Sequence, residues 1–105
     1  MNRNLLLLGL CLSTVHGVLA AEPSVARQAE LKHLLLHDCG SCHGMTLNGG
    51  LGPALTPDVL ENKPAEYLFQ VISNGLPNTP MPPWEGILDE AEMRWIAGEL
   101  KDGLD

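Results

Sequence analysis

The residues best placed to do chemistry are Cys39-Gly40-Ser41-Cys42-His43. Cys39 and Cys42 are i and i+3, so on a helix they rise from one face, and His43, at i+4 from Cys39, lies beside both. Thiols and an imidazole at this spacing admit four chemistries. A redox-active dithiol belongs in a βαβ setting, and no strand-like alternation surrounds the motif. A structural zinc site takes four ligands; the nearest extra donors, His33 and His37, sit earlier on the same stretch and mostly off the right face. A plain disulfide at this spacing closes a strained loop for little entropic gain. The fourth chemistry is capture of two haem vinyl groups as thioethers. The vinyls lie on neighbouring pyrroles, so two thiols must come from one backbone face, and the imidazole then reaches the iron from that same side. Cys-x-x-Cys-His is the signature of c-type haem attachment.

An iron so held needs a ligand on the far side of the ring, from a segment distant in sequence. The candidates are Met45, Met81, Met93, His33 and His37. Met45 is two residues from His43 and cannot easily cross the ring. Met93 belongs to an apolar helical face and reads as core. His33 and His37 precede the motif on the same helix and read as solvated or capping histidines. Met81 lies in Asn78-Thr79-Pro80-Met81-Pro82-Pro83-Trp84, where prolines on both sides stiffen the chain and resist helix. A stiff loop can hold a thioether against iron at little ordering cost, so Met81 is the expected sixth ligand; a gap-filling surface methionine is the bland alternative. A His/Met pair raises the haem potential and fills the coordination sphere. Pro53 follows a Gly-rich run near His43, and its carbonyl is a candidate to orient the imidazole proton. Trp84, Trp95 and Tyr67 are candidates to line the haem or simply to pack.

Four helical segments position these groups. The first runs from about Ser24, a capping residue, to Cys42, with Leu31, Leu34 and Leu35 at helical spacing. The second spans Pro57 to Glu61, with Thr56 as cap and Pro57 at the first helical position. The third runs from Pro64 to about Ser73, with a buried stripe of Leu68, Val71 and Ile72 and an Asn74-Gly75 stop. The fourth runs from Glu90 to Lys101. There Asp89 and Glu92 form a capping-box-like start, and Met93, Ile96, Ala97 and Leu100 form one apolar face. Between them lie a Gly-rich loop, 43–55, and a Pro-rich loop, 75–87. The expected fold is a compact all-α domain of about four short helices, with long loops wrapped around one haem.

The chain has 105 residues, enough for one small domain. Only 4% of it is aromatic, low for a core built unaided, and a buried cofactor would supply apolar contact. Residues 1–20 read as a cleavable secretory signal. Arg3 gives the positive start, Leu5 to Leu12 the apolar stretch, and Val18-Leu19-Ala20 the small residues of a cleavage site. The stretch is short of the roughly 20 residues that span a bilayer, so stable membrane insertion is not expected after cleavage. Leu10 before Cys11 is too bulky for a lipidation site. Residues 21–105 then form the functional domain, periplasmic and with two cysteines. They hold 5 basic and 13 acidic residues, a charge of −8. No basic run exists, which argues against nucleic acid as a partner.

With these elements in place the sequence resembles the class I cytochromes c along its whole length after the signal. The resemblance rests on the leading helix ending in Cys39-Gly40-Ser41-Cys42-His43-Gly44, on Gly50-Leu51-Gly52-Pro53, on the Met81 loop, and on Trp95-Ile96-Ala97 with Leu100 in the closing helix. In that family the proline after the glycines places a carbonyl on the axial histidine, a role carried here to Pro53. The stretches Gly49 to Pro57 and Thr79 to Trp84 are similar to the small cytochrome c55X proteins of denitrification gene clusters, the NirC type. That resemblance implies a periplasmic single-electron carrier, not an enzyme. Its partner would be cytochrome cd1 nitrite reductase or the proteins that mature haem d1. A small haem enzyme or gas sensor with a displaceable axial methionine is the rival reading.

Overall fold

The computed structural model describes residues 21–104, together with Cys11 and Ser13. The expected signal, residues 1–20, lies outside the described residues apart from those two. Among the described residues the chain is helical without a strand, as expected, and no helix is long and apolar enough to cross a membrane.

The first rod is continuous but not uniform. Helix α1 spans Val25–Leu34, a π-helical turn follows at Leu35–Cys39, and α2 spans Gly40–His43. Ser24 caps α1 as expected, its hydroxyl accepting the Arg27 amide at 3.2 Å. In the π-turn the Gly40 amide reaches past the usual partner to donate to the Leu35 carbonyl. The inserted residue brings both Leu35 and Gly40 to the buried side. A regular helix through Cys42 was expected, and the π-turn is a departure from it.

Helix α3 is the short Pro57–Leu60, α4 is Ala65–Asn74, and α5 is Glu90–Asp102. Thr56 precedes α3 in extended conformation, but its hydroxyl caps no backbone amide. It lies toward the Asp58 carboxylate instead and helps hold that group below the usual carboxylate range. The other end of α3 is capped from afar: Lys101 Nζ donates to the Leu60 and Lys63 carbonyls.

On α4 the buried residues are Leu68, Phe69 and Ser73, with Ile72 packed at the edge of the core. Val71, expected in the stripe, is only half-buried, so the buried face is rotated toward Phe69. The cause is α5, whose Arg94 guanidinium lies 3.9 Å over the Phe69 ring. Arg94 also bonds Glu66 on α4 at 2.6 Å and Glu90 at 2.9 Å.

Helix α5 packs against α1, α3 and α4 and is the hub of the core. Its capping box is complete: Asp89 accepts from the Glu92 amide and Glu92 accepts from the Asp89 amide. Met93, Ile96, Ala97 and Leu100 are all buried, and they meet Leu31 and Leu35 of the first rod.

Candidate functional site

Each expected site residue sits on a backbone segment whose hydrogen bonds are accounted for. Helix α2 ends at His43, leaving carbonyls that need donors. The Gly-rich loop folds back to supply them: Gly52 donates to the Cys42 carbonyl and Gly49 to the His43 carbonyl, each at 2.8 Å. The reversal starts at Gly44, with φ +93, where a side chain would meet the Gly49 carbonyl at 2.6 Å. Leu47 holds a left-handed conformation, φ 60, in order to bury its side chain in the core. Such strain in a non-glycine residue costs about 1–2 kcal/mol, and it persists where packing over-determines it.

This fold-back builds a seat for the His43 imidazole. Its Nδ1 lies 2.7 Å from the Pro53 carbonyl. A carbonyl only accepts, so Nδ1 carries the proton and donates, and Nε2 keeps its lone pair. The other wall is Gly52: a methyl there would stand 2.7 Å from both Cε1 and Nδ1. The ring is held by its edge and its face, and Nε2 is left without a hydrogen-bond partner among the described residues.

The thiols of Cys39 and Cys42 are free, not joined to each other. Cys39 is half-buried against the core, and Cys42 is exposed. Burial pushes the Cys39 thiol up to about 11, with help from the neighbouring Asp38 carboxylate. It is a neutral thiol at physiological pH, opposite to the low-pKa thiolate of a redox-active pair.

Met81 is half-buried on a strap pinned to the end of α4. Trp84 donates to the Ile72 carbonyl at 2.9 Å and Glu85 to the Ser73 carbonyl at 3.3 Å, using acceptors the helix leaves free. The chain just before Met81 closes into a ring. Leu76 donates to the Met81 carbonyl at 3.2 Å, and the Thr79 hydroxyl donates to the Leu76 carbonyl at 2.7 Å while accepting the Met81 amide at 3.3 Å. Gly75, φ +68, lets the strap approach: a methyl would meet the Met81 carbonyl at 2.7 Å. The roles of Gly52 and Thr79 were not drawn from the sequence. Thr79 beside Pro80 carried a signal, since threonines before prolines form such side-chain turns.

The other ligand candidates lie elsewhere. Met93 is core, as expected. Met45 is exposed and rests near Gly40, on the attachment helix itself. His33 and His37 are exposed on the first rod. Trp84 packs at the edge of the core beside the strap, and Trp95 packs on α5. Tyr67 is exposed, with Lys63 Nζ 5.4 Å from its ring centroid. Two surface hollows, about 290 and 170 Å³, lie between residues 21–27 and the start of α5; Trp95 borders the smaller, and Cys39, Cys42, His43 and Met81 line neither.

Two free thiols on one helix, an imidazole with Nε2 free, and a thioether on a stiff strap are groups that suit a covalently held haem. The set is poor for zinc, because no group of three or more metal-binding side chains converges among the described residues. Apolar surface suited to cover by a flat ring is present on the same loops, at Leu51 and Leu76.

Comparison with known proteins agrees with this chemistry. Residues 26–98 match the family model described as cytochrome C oxidase, cbb3-type, subunit III. The chain is 53% identical over 87 residues to a cytochrome c55X of Pseudomonas aeruginosa, covering 83% of this chain and 73% of that one. It is 48% identical over 81 residues to a cytochrome c55X of Paracoccus denitrificans, covering 77% and 79%. Among solved structures, a c-type cytochrome NirC superposes with a TM-score of 0.76 at 54% identity, covering 77% of this chain and 95% of that chain. A dihydro-heme d1 dehydrogenase, NirN, superposes with a TM-score of 0.62 at 33% identity, over 67% of this chain and 15% of NirN.

Proposed function

The chain belongs to the c-type cytochromes, in the cytochrome c55X group of electron carriers, and on that premise we propose that it works with one haem, bound to Cys39 and Cys42 and ligated by His43 and Met81. The observation that carries the assignment is the 2.7 Å bond from His43 Nδ1 to the Pro53 carbonyl, which leaves Nε2 as the ligand atom. When bound, the haem iron supplies a one-electron ferric/ferrous couple, raised in potential by His/Met ligation relative to bis-histidine.

The protein's own groups prepare that couple. The Pro53 carbonyl fixes the imidazole tautomer and raises its basicity as a ligand. Gly52 and the fold-back loop stop the ring from turning. Thr79 and the end of α4 hold the Met81 backbone from the other direction. Side chains of His43 and Met81 held in this way would move little if the iron they hold changed oxidation state, which suits electron transfer rather than binding of small molecules. Rapid stoichiometric binding of azide or carbon monoxide at neutral pH would favour the rival haem-enzyme or sensor reading.

The setting we infer is the periplasm, and the partner a protein of denitrification, cytochrome cd1 nitrite reductase or the haem d1 maturation machinery. Likeness to a dihydro-heme d1 dehydrogenase favours keeping the maturation role in view. The surface charge supports a basic docking patch on that partner. Arg27 and Arg94 are each paired with two glutamates and Lys101 is spent on carbonyls, so much of the acidic surface has no partner among the described residues. Such a contact is small and short-lived, and its rate falls with salt. Deleting the gene separates the two roles: nitrite reductase lacking haem d1 indicates maturation, and normal d1 content with slow turnover indicates donation.

A further inference from the structure

The first rod carries a second pair of metal-binding side chains, pointing away from the core. His33 and His37 are i and i+4, both exposed, with ring centroids 4.1 Å apart and planes tilted by 40°. Neither ring makes a hydrogen bond to another group among the described residues.

Their closeness follows from the backbone. His37 lies within the π-turn Leu35–Cys39, and His33 just before it in α1. A π-turn takes more residues per revolution than an α-helix, so residue 37 is rotated back toward the column above residue 33. Residues i and i+4 are already neighbours on a helix, and here the two rings lie 4.1 Å apart and tilted by 40°. Single π-turns recur at functional sites, and the attachment motif downstream needs only that Cys39 to His43 share a face.

Two imidazoles on one face are donors of borderline character, suited to Zn²⁺, Cu²⁺ or Ni²⁺ and not to Ca²⁺ or Mg²⁺. The 40° tilt opens the pair like a hinge. One nitrogen of each exposed ring, brought to a shared point at the ~2.0–2.1 Å of a metal–imidazole bond, would make a two-donor site. The local charges are Glu30, one turn earlier, and Asp38, next in sequence, against Lys32 and an Arg27 already paired with Glu30 and Glu92. The chain's net charge is −7, so a divalent cation is drawn to this surface.

We infer that His33 and His37 form a surface site for a borderline divalent transition-metal ion, with its remaining positions open to water or to a donor from a second molecule. The site is separate from the haem assignment and survives its failure. The test is calorimetric titration of the mature, haem-loaded protein with Zn²⁺ at neutral pH; any thiols left free are alkylated first. The expected result is one zinc per chain in the native protein, with affinity falling roughly ten- to a hundredfold, the scale at which even an outer partner of a metal ligand matters, in His33→Ala and in His37→Ala alike. Circular dichroism and the haem spectrum should be unchanged in both variants. Absence of zinc binding, equal binding by the double variant, or competition by Ca²⁺ at matching concentration would overturn the inference.

Discussion

Replacing Gly52 by alanine tests the seat of the His43 imidazole without touching a proposed ligand. Gly52 does not hold a left-handed conformation, so the backbone tolerates a side chain and the effect is steric alone. The new methyl would stand 2.7 Å from Cε1 and Nδ1 of His43 and 3.2 Å from Nε2. Carbon contacts settle near ~3.5 Å, so ring and loop must separate by about 0.8 Å. A shift of that size is enough to carry the 2.7 Å bond to Pro53 beyond the normal hydrogen-bond range. Overpacking of this kind costs roughly 1–3 kcal/mol, and reduced freedom of the unfolded chain returns about 0.4–1 kcal/mol. The net loss is about 1–2 kcal/mol, or roughly 4–15 °C in Tm for a domain of this size. Thermal unfolding of the haem-loaded variant measures it, and the optical spectrum should report a disturbed axial histidine. Gly86→Ala is the control, because a methyl there meets nothing within 4 Å. A Gly52→Ala protein as stable as its parent, with the same spectrum, would refute the reasoning.

Further expectations follow from other parts of the fold. Gly98→Ala, in α5 and with open space around its would-be methyl, should raise stability by about 0.8–1 kcal/mol in denaturant unfolding. Thr79→Val should weaken the optical band of methionine-ligated ferric iron and speed azide entry, and Thr79→Ser should restore both, because the hydroxyl links the Leu76 carbonyl to the Met81 amide. Ile96→Ala, at a fully buried position, should cost about 2–5 kcal/mol. Glu66 is held below its usual range by Arg94 first and Gln70 second. Its contribution is present above the ordinary carboxylate pKa and fades as pH falls through its lowered value, so Glu66→Gln should flatten stability against pH between about pH 5 and 3. Both residues are exposed, so that difference should be small and should shrink in salt.

What was legible in the sequence was local. Ser24, the Asp89/Glu92 box and the Met93 to Leu100 face each specify themselves within a few residues, and all stand as expected. The Pro53 carbonyl on His43 was legible because a short Gly-rich loop can reach back over only one side of the motif. The rest depended on distant partners. Stripes through Leu68 and Val71 or through Leu68 and Phe69 fit a helix equally well, and the position of α5 with Arg94 decides between them. Thr56 looked like a cap, but the Asp58 carboxylate competes for its hydroxyl. The π-turn left no local signal; it appears where Leu35 and Gly40 must both face the core.

The central claim, one haem fixed at Cys39 and Cys42 with His43 and Met81 as axial ligands, is tested most directly by optical spectra. The protein would be exported together with a haem-attachment system, and oxidised and reduced spectra recorded for the native chain and for Met81→Ala. The account predicts a covalently bound haem with the weak long-wavelength band of methionine-ligated ferric iron in the native protein, and loss of that band in the variant. A covalently bound haem without the band in the native protein, or a band that survives in Met81→Ala, would contradict it.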